Sequence, residues 1–188
     1  DIDLGIASTG LGTDSLVNIE NIIGGSADDK IDGDENVNIL KGEAGDDTLR
    51  GRLGDDTLRG GADDDVLEGG ADDDLIKGDA GVDLLRGGSG VDTLYGGTGG
   101  DFADYSQAGA SVVVDLSSNT ASNDGDGGTD EIYEIENIIG SDNSGAGDTL
   151  IGDNSVNTII GLAGDDTLSG GAGDDTLLGG DGDDYFSR

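Results

Sequence analysis

From residue 24 onward, one apolar position returns every nine residues. With Gly24 as the first position, units begin at residues 24, 33, 42, 51, 60, 69, 78, 87 and 96, and again at 143, 152, 161, 170 and 179. Their eighth position reads Ile31, Leu40, Leu49, Leu58, Leu67, Ile76, Leu85, Leu94 and Ala103, then Leu150, Ile159, Leu168, Leu177 and Phe186, every one apolar. Positions seven to nine have room for a very short strand whose middle side chain faces inward, because strand side chains alternate in direction. The glycine-rich remainder must turn sharply. Two units then make one turn of eighteen residues, with two short parallel sheets face to face and turns ~4.8 Å apart. The pattern predicts an all-β solenoid in which each repeat buries its apolar residue against its neighbours.

The sixth position is as regular as the eighth. It reads Asp29, Asn38, Asp47, Asp56, Asp65, Asp74, Asp83, Asp92 and Asp101, then Asp148, Asn157, Asp166, Asp175 and Asp184. In a stack of eighteen-residue turns, Asp47 comes beside Asp65 and Asp56 beside Asp74, and facing carboxylates repel unless a cation lies between them. The glycine turns expose carbonyl oxygens to the same place. An all-oxygen donor set on a flexible loop suits a hard cation, calcium rather than the smaller, strictly octahedral magnesium.

Composition sharpens this picture. The 188 residues carry 43 acidic and 8 basic side chains, a net charge of −35, with 39 glycines and no His, Cys, Met, Pro or Trp. Such a balance alone describes an acidic disordered segment; the fixed phase of Asp and aliphatic residue is what argues for a fold. Strong acidity disfavours nucleic acid and anionic membranes, and no stretch is apolar enough to span a bilayer. Without Cys there are no disulfides or thiolate sites. Without His or Cys, and with carboxylate pairs repeated everywhere rather than gathered in one cleft, no catalytic constellation emerges, and the chain is read as non-catalytic. Gly96-Gly97-Thr98-Gly99-Gly100-Asp101 lacks the Lys-Ser/Thr of a nucleotide loop. Tyr95, Tyr105, Tyr133 and Tyr185 are scattered along the chain, too far apart in sequence for a stacking platform.

Units such as Gly170-Gly171-Ala172-Gly173-Asp174-Asp175-Thr176-Leu177-Leu178 and Gly87-Gly88-Ser89-Gly90-Val91-Asp92-Thr93-Leu94-Tyr95 resemble the Gly-Gly-x-Gly-x-Asp-x-U-x nonapeptide of the RTX (repeats-in-toxin) family. The resemblance covers about two thirds of the chain. It implies a right-handed parallel β-roll, calcium held between turns by the position-six Asp and by carbonyls at positions one, two and four, type I secretion from a Gram-negative bacterium, and calcium-triggered folding outside the cell. The implied carbonyl ligands are Gly42, Gly45, Gly51, Gly54, Gly60, Gly61, Gly69, Gly70, Gly78, Gly81, Gly87, Gly88, Gly90, Gly96, Gly97 and Gly99 in the first array. In the second they are Gly161, Gly164, Gly170, Gly171, Gly173, Gly179, Gly180 and Gly182. Asn38 and Asn157 mark weaker sites. With two units fewer sites than units in each array, nine and five units give about ten ions, which would bring the charge from −35 to about −15. In the units at 60 and 69, Asp63 and Asp72 replace the fourth glycine, adding either ligands or strain.

Four segments follow: 1–23, a strand insert truncated at its start; 24–104, the first array; 105–142, a second insert; and 143–188, the second array. Thr13 to Gly24 aligns with Thr129 to Gly140, agreeing at eight of twelve positions. The inserts are expected to continue the solenoid core, with the acidic loop from Ser117 to Gly128 as a mobile excursion. The chain reads as a piece of a larger exported protein. At position nine, Lys41, Arg59 and Lys77 form one outward row and Arg50, Glu68 and Arg86 another. The first row is open to two readings: solubility and edge protection, or contact with an acidic polysaccharide or cell surface, as in similar modules attached to polyuronate-modifying enzymes.

Overall fold

The computed structural model describes residues 19–145 and 147–188. Residues 1–18, most of the segment read as a truncated insert, lie outside the described residues. The first array forms β1 (Asn21–Gly25), β2 (Lys30–Asp32), β3 (Ile39–Ala44), β4 (Thr48–Leu53), β5 (Thr57–Ala62), β6 (Val66–Ala71), β7 (Leu75–Gly81), β8 (Leu84–Ser89), β9 (Thr93–Gly99) and β10 (Phe102–Asp104). The insert contributes β11 (Val113–Asp115), a 3-10 turn at Leu116–Ser118, β12 (Thr120–Asn123), β13 (Asp130–Tyr133) and β14 (Asn137–Ile139). The second array adds β15 (Thr149–Ile151), β16 (Thr158–Ala163), β17 (Thr167–Ser169), β18 (Thr176–Asp181) and β19 (Tyr185–Ser187).

Consecutive strands of each array alternate between two sheets, so that each strand pairs in parallel with the strand two ahead. Leu40 lies opposite Leu58, Leu58 opposite Ile76 and Ile76 opposite Leu94, a register of eighteen residues per turn. The result is an all-β parallel β-roll of about nine turns. Position-eight side chains fill the space between the sheets: Leu40, Leu49, Leu58, Leu67, Ile76, Leu85 and Leu94 are fully buried.

The strands run further than positions seven to nine. β5, for example, continues through Gly60 and Gly61 to Ala62, with Leu58 and Gly60 both buried. Alternation explains the extension: position eight points in, nine out and one in again. Position one has no room for a side chain, because a methyl group on Gly51 would meet the Gly69 carbonyl oxygen at 2.7 Å and the Asp56 carboxylate carbon at 2.8 Å. The sharp turn is therefore confined to the middle of each unit. There Asp63 and Asp72 adopt φ of 78° and 76°, the left-handed region that costs a non-glycine residue about 1–2 kcal/mol. Their carboxylates offset part of this cost by accepting from the N–H of Gly45 at 3.2 Å and of Gly54 at 3.1 Å, one turn earlier.

The insert strands belong to the same two sheets but are laid out of order. The larger sheet reads β1-β3-β5-β7-β9-β13-β12-β11-β15-β17-β19 and the smaller β2-β4-β6-β8-β10-β14-β16-β18. After β10 the chain skips ahead to β11, returns antiparallel through β12, and places β13 beside β9. Tyr105, Val112, Val114 and Ala121 are buried beneath this hairpin. The acidic segment expected to be a mobile excursion is thus partly built into the sheet as β12. Its inward Ala121 and the fully paired Asp124 supply the burial that the sequence reading did not assign to it.

Outward rows differ between the sheets. On the smaller one, Asp32, Arg50 and Glu68 stand in register and alternate in sign, with Arg50 Nε 3.1 Å from Glu68 and Arg86 Nε 2.7 Å from Asp104. On the larger one, Lys41, Arg59, Lys77, Tyr95 and Tyr133 stand in one row. Two of the tyrosines that look scattered in sequence therefore meet: the rings of Tyr95 and Tyr133 stack with centroids 5.0 Å apart.

Replacing the fully buried Leu58 by Ala is expected to cost about 2–5 kcal/mol in denaturant unfolding of the calcium-saturated protein. Phe186→Ala, at a half-exposed position eight in the last turn, should cost clearly less.

Candidate metal centre

The turns place the position-six side chains in two columns, one along each edge of the roll. Within a column each Asp accepts, through Oδ1, the backbone N–H of the position-six residue one turn earlier. Along one edge, Asp29 donates to Asp47 at 2.7 Å, Asp47 to Asp65 at 2.8 Å, and Asp65 to Asp83 and Asp83 to Asp101 at 2.9 Å. Along the other, Asn38 donates to Asp56, Asp56 to Asp74 and Asp74 to Asp92, at 2.7 to 2.8 Å. In the second array Asp148 donates to Asp166, Asp166 to Asp184 and Asn157 to Asp175. One carboxylate oxygen is thus a clamp that fixes the register of the turns.

The second oxygen has no such use. Among the described residues, Oδ2 of Asp47, Asp56, Asp65, Asp74, Asp83, Asp92, Asp101 and Asp166 is buried without a hydrogen-bond partner. Each lies over the position-one glycine of its own unit. Beside Gly51, Gly69, Gly78 and Gly161 the same space is shared by the position-one carbonyl oxygen of the next turn, those of Gly69, Gly87, Gly96 and Gly179, and beside Gly96 by the carbonyl of Glu134. The carbonyl oxygens of positions two and four also lie close against the glycines of the next turn, that of Asp79 against Gly97 and that of Asp63 against Gly81. Acceptor faces acceptor with no donor between, the arrangement that a hard, oxygen-seeking cation relieves. Among the described residues no three acidic side chains converge on one point. A cation here would be held by one or two carboxylates and the backbone carbonyls, and the residues fit calcium in donor type and flexibility.

Electrostatics tell the same story. Burial, opposed by the hydrogen bond from the preceding turn and reinforced by neighbouring carboxylates, pushes Asp47 and Asp101 up to about 6, Asp65 to about 7 and Asp74 to about 8, from an ordinary 3.8. Asp56, Asp83, Asp148 and Asp166 are raised for the same first reason. These groups resist carrying charge without a counter-ion.

Several sequence-assigned positions depart from the pattern. The amide oxygens of Asn38 and Asn157 accept from Asp34 and Asp153 N–H within their own loops, both at 2.9 Å, and Asn157 Nδ2 reaches the Glu136 carbonyl at 2.8 Å. These amides supply a donor where an Asp has only acceptors. Asp148 is satisfied on both oxygens, by Val112 N–H and by the N–H and hydroxyl of Ser141. Asp175 and Asp184, in the last turns, are half-exposed.

Sequence reasoning missed two features. Position-five carboxylates form an outer, exposed column that bonds in the opposite sense: Asp28 accepts from Asp46, Asp46 from Asp64 and Asp64 from Val82, eighteen residues later each time. The second is a repeat hidden in the insert. Gly125-Asp126-Gly127-Gly128-Thr129-Asp130-Glu131-Ile132-Tyr133 follows the nonapeptide pattern, and its Asp130 takes the N–H of Asp92 as a position-six residue does. Ile132 lies opposite Leu94 in the core. Glu136 likewise accepts from Asp101 N–H at 3.0 Å, continuing the other column. The nine-residue pattern itself could have revealed Asp130, had the frame of the second array been carried two units further back.

No curated protein matches the chain. A family model described as RTX calcium-binding nonapeptide repeat (4 copies) matches residues 18–49, 32–67, 41–76, 68–103 and 151–186. With well over half its length matched, and with the eighteen-residue turns and stacked Asp columns such repeats require, the chain belongs to the RTX calcium-binding nonapeptide repeat family.

Proposed function

We propose that this chain is a non-catalytic, calcium-operated folding module of a larger protein exported by type I secretion, unfolded in a calcium-poor cytosol and rigid outside the cell. The observation that carries this reading is the recurrence of a buried, unpartnered Asp oxygen against a carbonyl oxygen, turn after turn. The position-six Asp residues of the two arrays and the carbonyls at positions one, two and four are the proposed ligands, for about ten ions in all. Calcium supplies positive charge where the folded chain gathers only acceptors. The chain's own part is to hold each Asp by one oxygen so that the other stays aimed at the site. At tenfold excess over Kd each ion contributes about 1.4 kcal/mol, so ten approach the whole stability of a typical domain. Binding and folding become one event.

Far-UV circular dichroism of metal-stripped protein should change cooperatively from coil to β on adding calcium, and not on adding magnesium at the same concentration. A full β spectrum in chelator, unchanged by calcium, would overturn the reading. The pH dependence has a definite sign. Carboxyls raised above their unfolded value favour the metal-free fold while protonated, so that contribution is complete below about 3.8 and is lost as pH rises through about 6 to 8. Metal-free protein should therefore show more β signal at pH 4.5 than at 7.5, and calcium uptake near pH 6 should release protons measurable in weak buffer.

A second reading concerns the larger sheet, whose outward row sets Lys41, Arg59 and Lys77 beside the Tyr95–Tyr133 stack, with Lys77 Nζ 5.0 Å from the Tyr95 ring centre. Like charges side by side are unfavourable by themselves. Cations next to an aromatic platform suit an acidic polysaccharide, carboxylates on Lys41 and Lys77 and a sugar face on the rings. Arg59 is ion-paired with Asp79, so the contact would rest mainly on the two lysines. The double variant Lys41→Glu, Lys77→Glu should lose retention on an immobilised polyuronate while folding with calcium as before; failure of the unaltered protein to be retained would dismiss this reading.

A further inference from the structure

Six residues occur twice without change: Ile19-Glu20-Asn21-Ile22-Ile23-Gly24 leads into the first array, and Ile135-Glu136-Asn137-Ile138-Ile139-Gly140 leads into the second. The second copy, centred on β14, sits between two strands. On one side it pairs with β16. On the other it seals the last turn of the first array, with Asn137 beside Phe102, Ile138 beside Ala103 and Ile139 beside Asp104. Glu136 accepts the Asp101 N–H at 3.0 Å, the Asn137 backbone N–H reaches the Asp101 carbonyl at 2.9 Å, and the Asn137 side-chain amide reaches the Gly100 carbonyl at 2.9 Å. These bonds satisfy the backbone groups that the array presents at its end.

The first copy has a neighbour on one side. β1 pairs with β3, whose Ile39 N–H takes the Glu20 carbonyl, and it is the outermost strand of the larger sheet among the described residues. Glu20 and Asn21 are exposed, whereas Asn137 is buried. Because a C=O and the next N–H of a trans peptide point opposite ways, the Asn21 N–H points away from β3. At the opposite end of the same sheet lies β19, whose Tyr185 and Phe186 are 65% and 50% exposed. Asp184, Tyr185, Phe186 and Ser187 hold the unit positions of Asp101, Phe102, Ala103 and Asp104. The antiparallel pairings on either side of β12 cancel, so β19 runs in the same direction as β1.

We propose that the free edge of β1 docks on the free edge of β19 in a second copy of this chain, repeating between molecules the joint that β14 makes with β10 within one. In that register Tyr185 of one copy lies beside Asn21 of the next, Phe186 beside Ile22 and Ser187 beside Ile23. The Asp184 N–H then meets the Glu20 carboxylate, as Asp101 meets Glu136. An unpaired strand edge is a template for another chain. Since each molecule offers a different edge at each end, the contact is head to tail and a pair still has both edges to offer, so the assembly grows as a filament. Repulsion between chains of net charge −35 opposes it, which ties the assembly to the calcium-loaded state.

Sedimentation velocity of the full chain folded in calcium tests the proposal. The weight-average mass is expected to rise from 18.7 kDa to several times that value as protein concentration increases, with the frictional ratio of a lengthening rod. Asn21→Pro removes the outward N–H and the side-chain amide but leaves the bond from Ile39 to Glu20, and proline is tolerated on an edge strand. It should stay at the mass of one chain with its β spectrum intact, and Phe186→Asp, at the other end, should do the same. Mixed in equal amounts, the two variants should form a species of two chains and no larger, because each keeps the edge that the other has lost. A folded wild type that stays at one chain at every concentration, assembly that persists in Asn21→Pro, or a mixture that remains monomeric would overturn the proposal and leave the folding module standing. Should either variant fail to fold, the other decides. A wild-type chain that gains no β signal in calcium would instead remove both readings.

Discussion

The roll closes by burying a carboxylate at most of its half-turns. That burial governs the rest of the structure, because each position-six Asp has two oxygens with opposite fates. One accepts a backbone N–H from the preceding turn and sets the eighteen-residue register. The other is left among carbonyl oxygens. A neutral side chain avoids the charge, and Asn157 shows the consequence, whereas at Asn38 the amide Nδ2 is left buried without a partner among the described residues. Asn157 makes its own bonds within its loop and across to Glu136, linking turns with no need of an ion. Asp at the remaining positions carries a burial cost that a proton or a bound cation relieves.

Glycine at position one is part of the same constraint. The inward strand alternation would place a side chain where the Asp oxygen and the next turn's carbonyl already lie, as at Gly51. Even alanine would push these oxygens apart. Position two is more forgiving: Glu43, Arg52, Asp79 and Leu162 all occupy it with positive φ between 77° and 90°. Backbone strain is tolerated there, whereas loss of space at position one would abolish the site. The glycines that matter most for the ion are therefore those that leave room, and the positive-φ positions matter chiefly for the turn.

Most of the arrays was legible because their contacts are periodic. Apolar position eight, acidic position six and the eighteen-residue turn follow from spacing, and the structure places Leu40, Leu58, Ile76 and Leu94 in one column accordingly. What escaped was whatever stood apart from the contiguous arrays. Gly125 to Tyr133 carries the repeat pattern in step with the second array, whose first unit begins eighteen residues later, but the intervening residues 134–142 lack the pattern and a hairpin precedes it, so a search along contiguous units passes over it. The Tyr95–Tyr133 stack was invisible for the same reason, since the two residues become neighbours only when β13 is returned to the side of β9. The double role of the Asp carboxylate was illegible too, because spacing places a residue without saying which of its oxygens finds a donor.

Out-of-order threading at the insert also decides how order can pass from one array to the other. Within an array each contact spans eighteen residues, so turns can add one after another on a neighbour already formed. At the junction, β13 must reach β9 across thirty-eight residues, as the Asp92 to Asp130 bond records, and it must do so after β11 and β12 have been set aside. Closing the longer loop costs little extra entropy, since that cost rises only slowly with length. The kinetic demand is greater, because non-local pairing must precede its reward. The second array is held to the first through β10–β14–β16 on one sheet and through the hairpin on the other. Order in the first array can therefore pass to the second only when the insert is seated. Asp92 and Asp130 stand buried at that seat, and the bond from Asp92 N–H to Asp130 Oδ1 ties the insert strand to the first array.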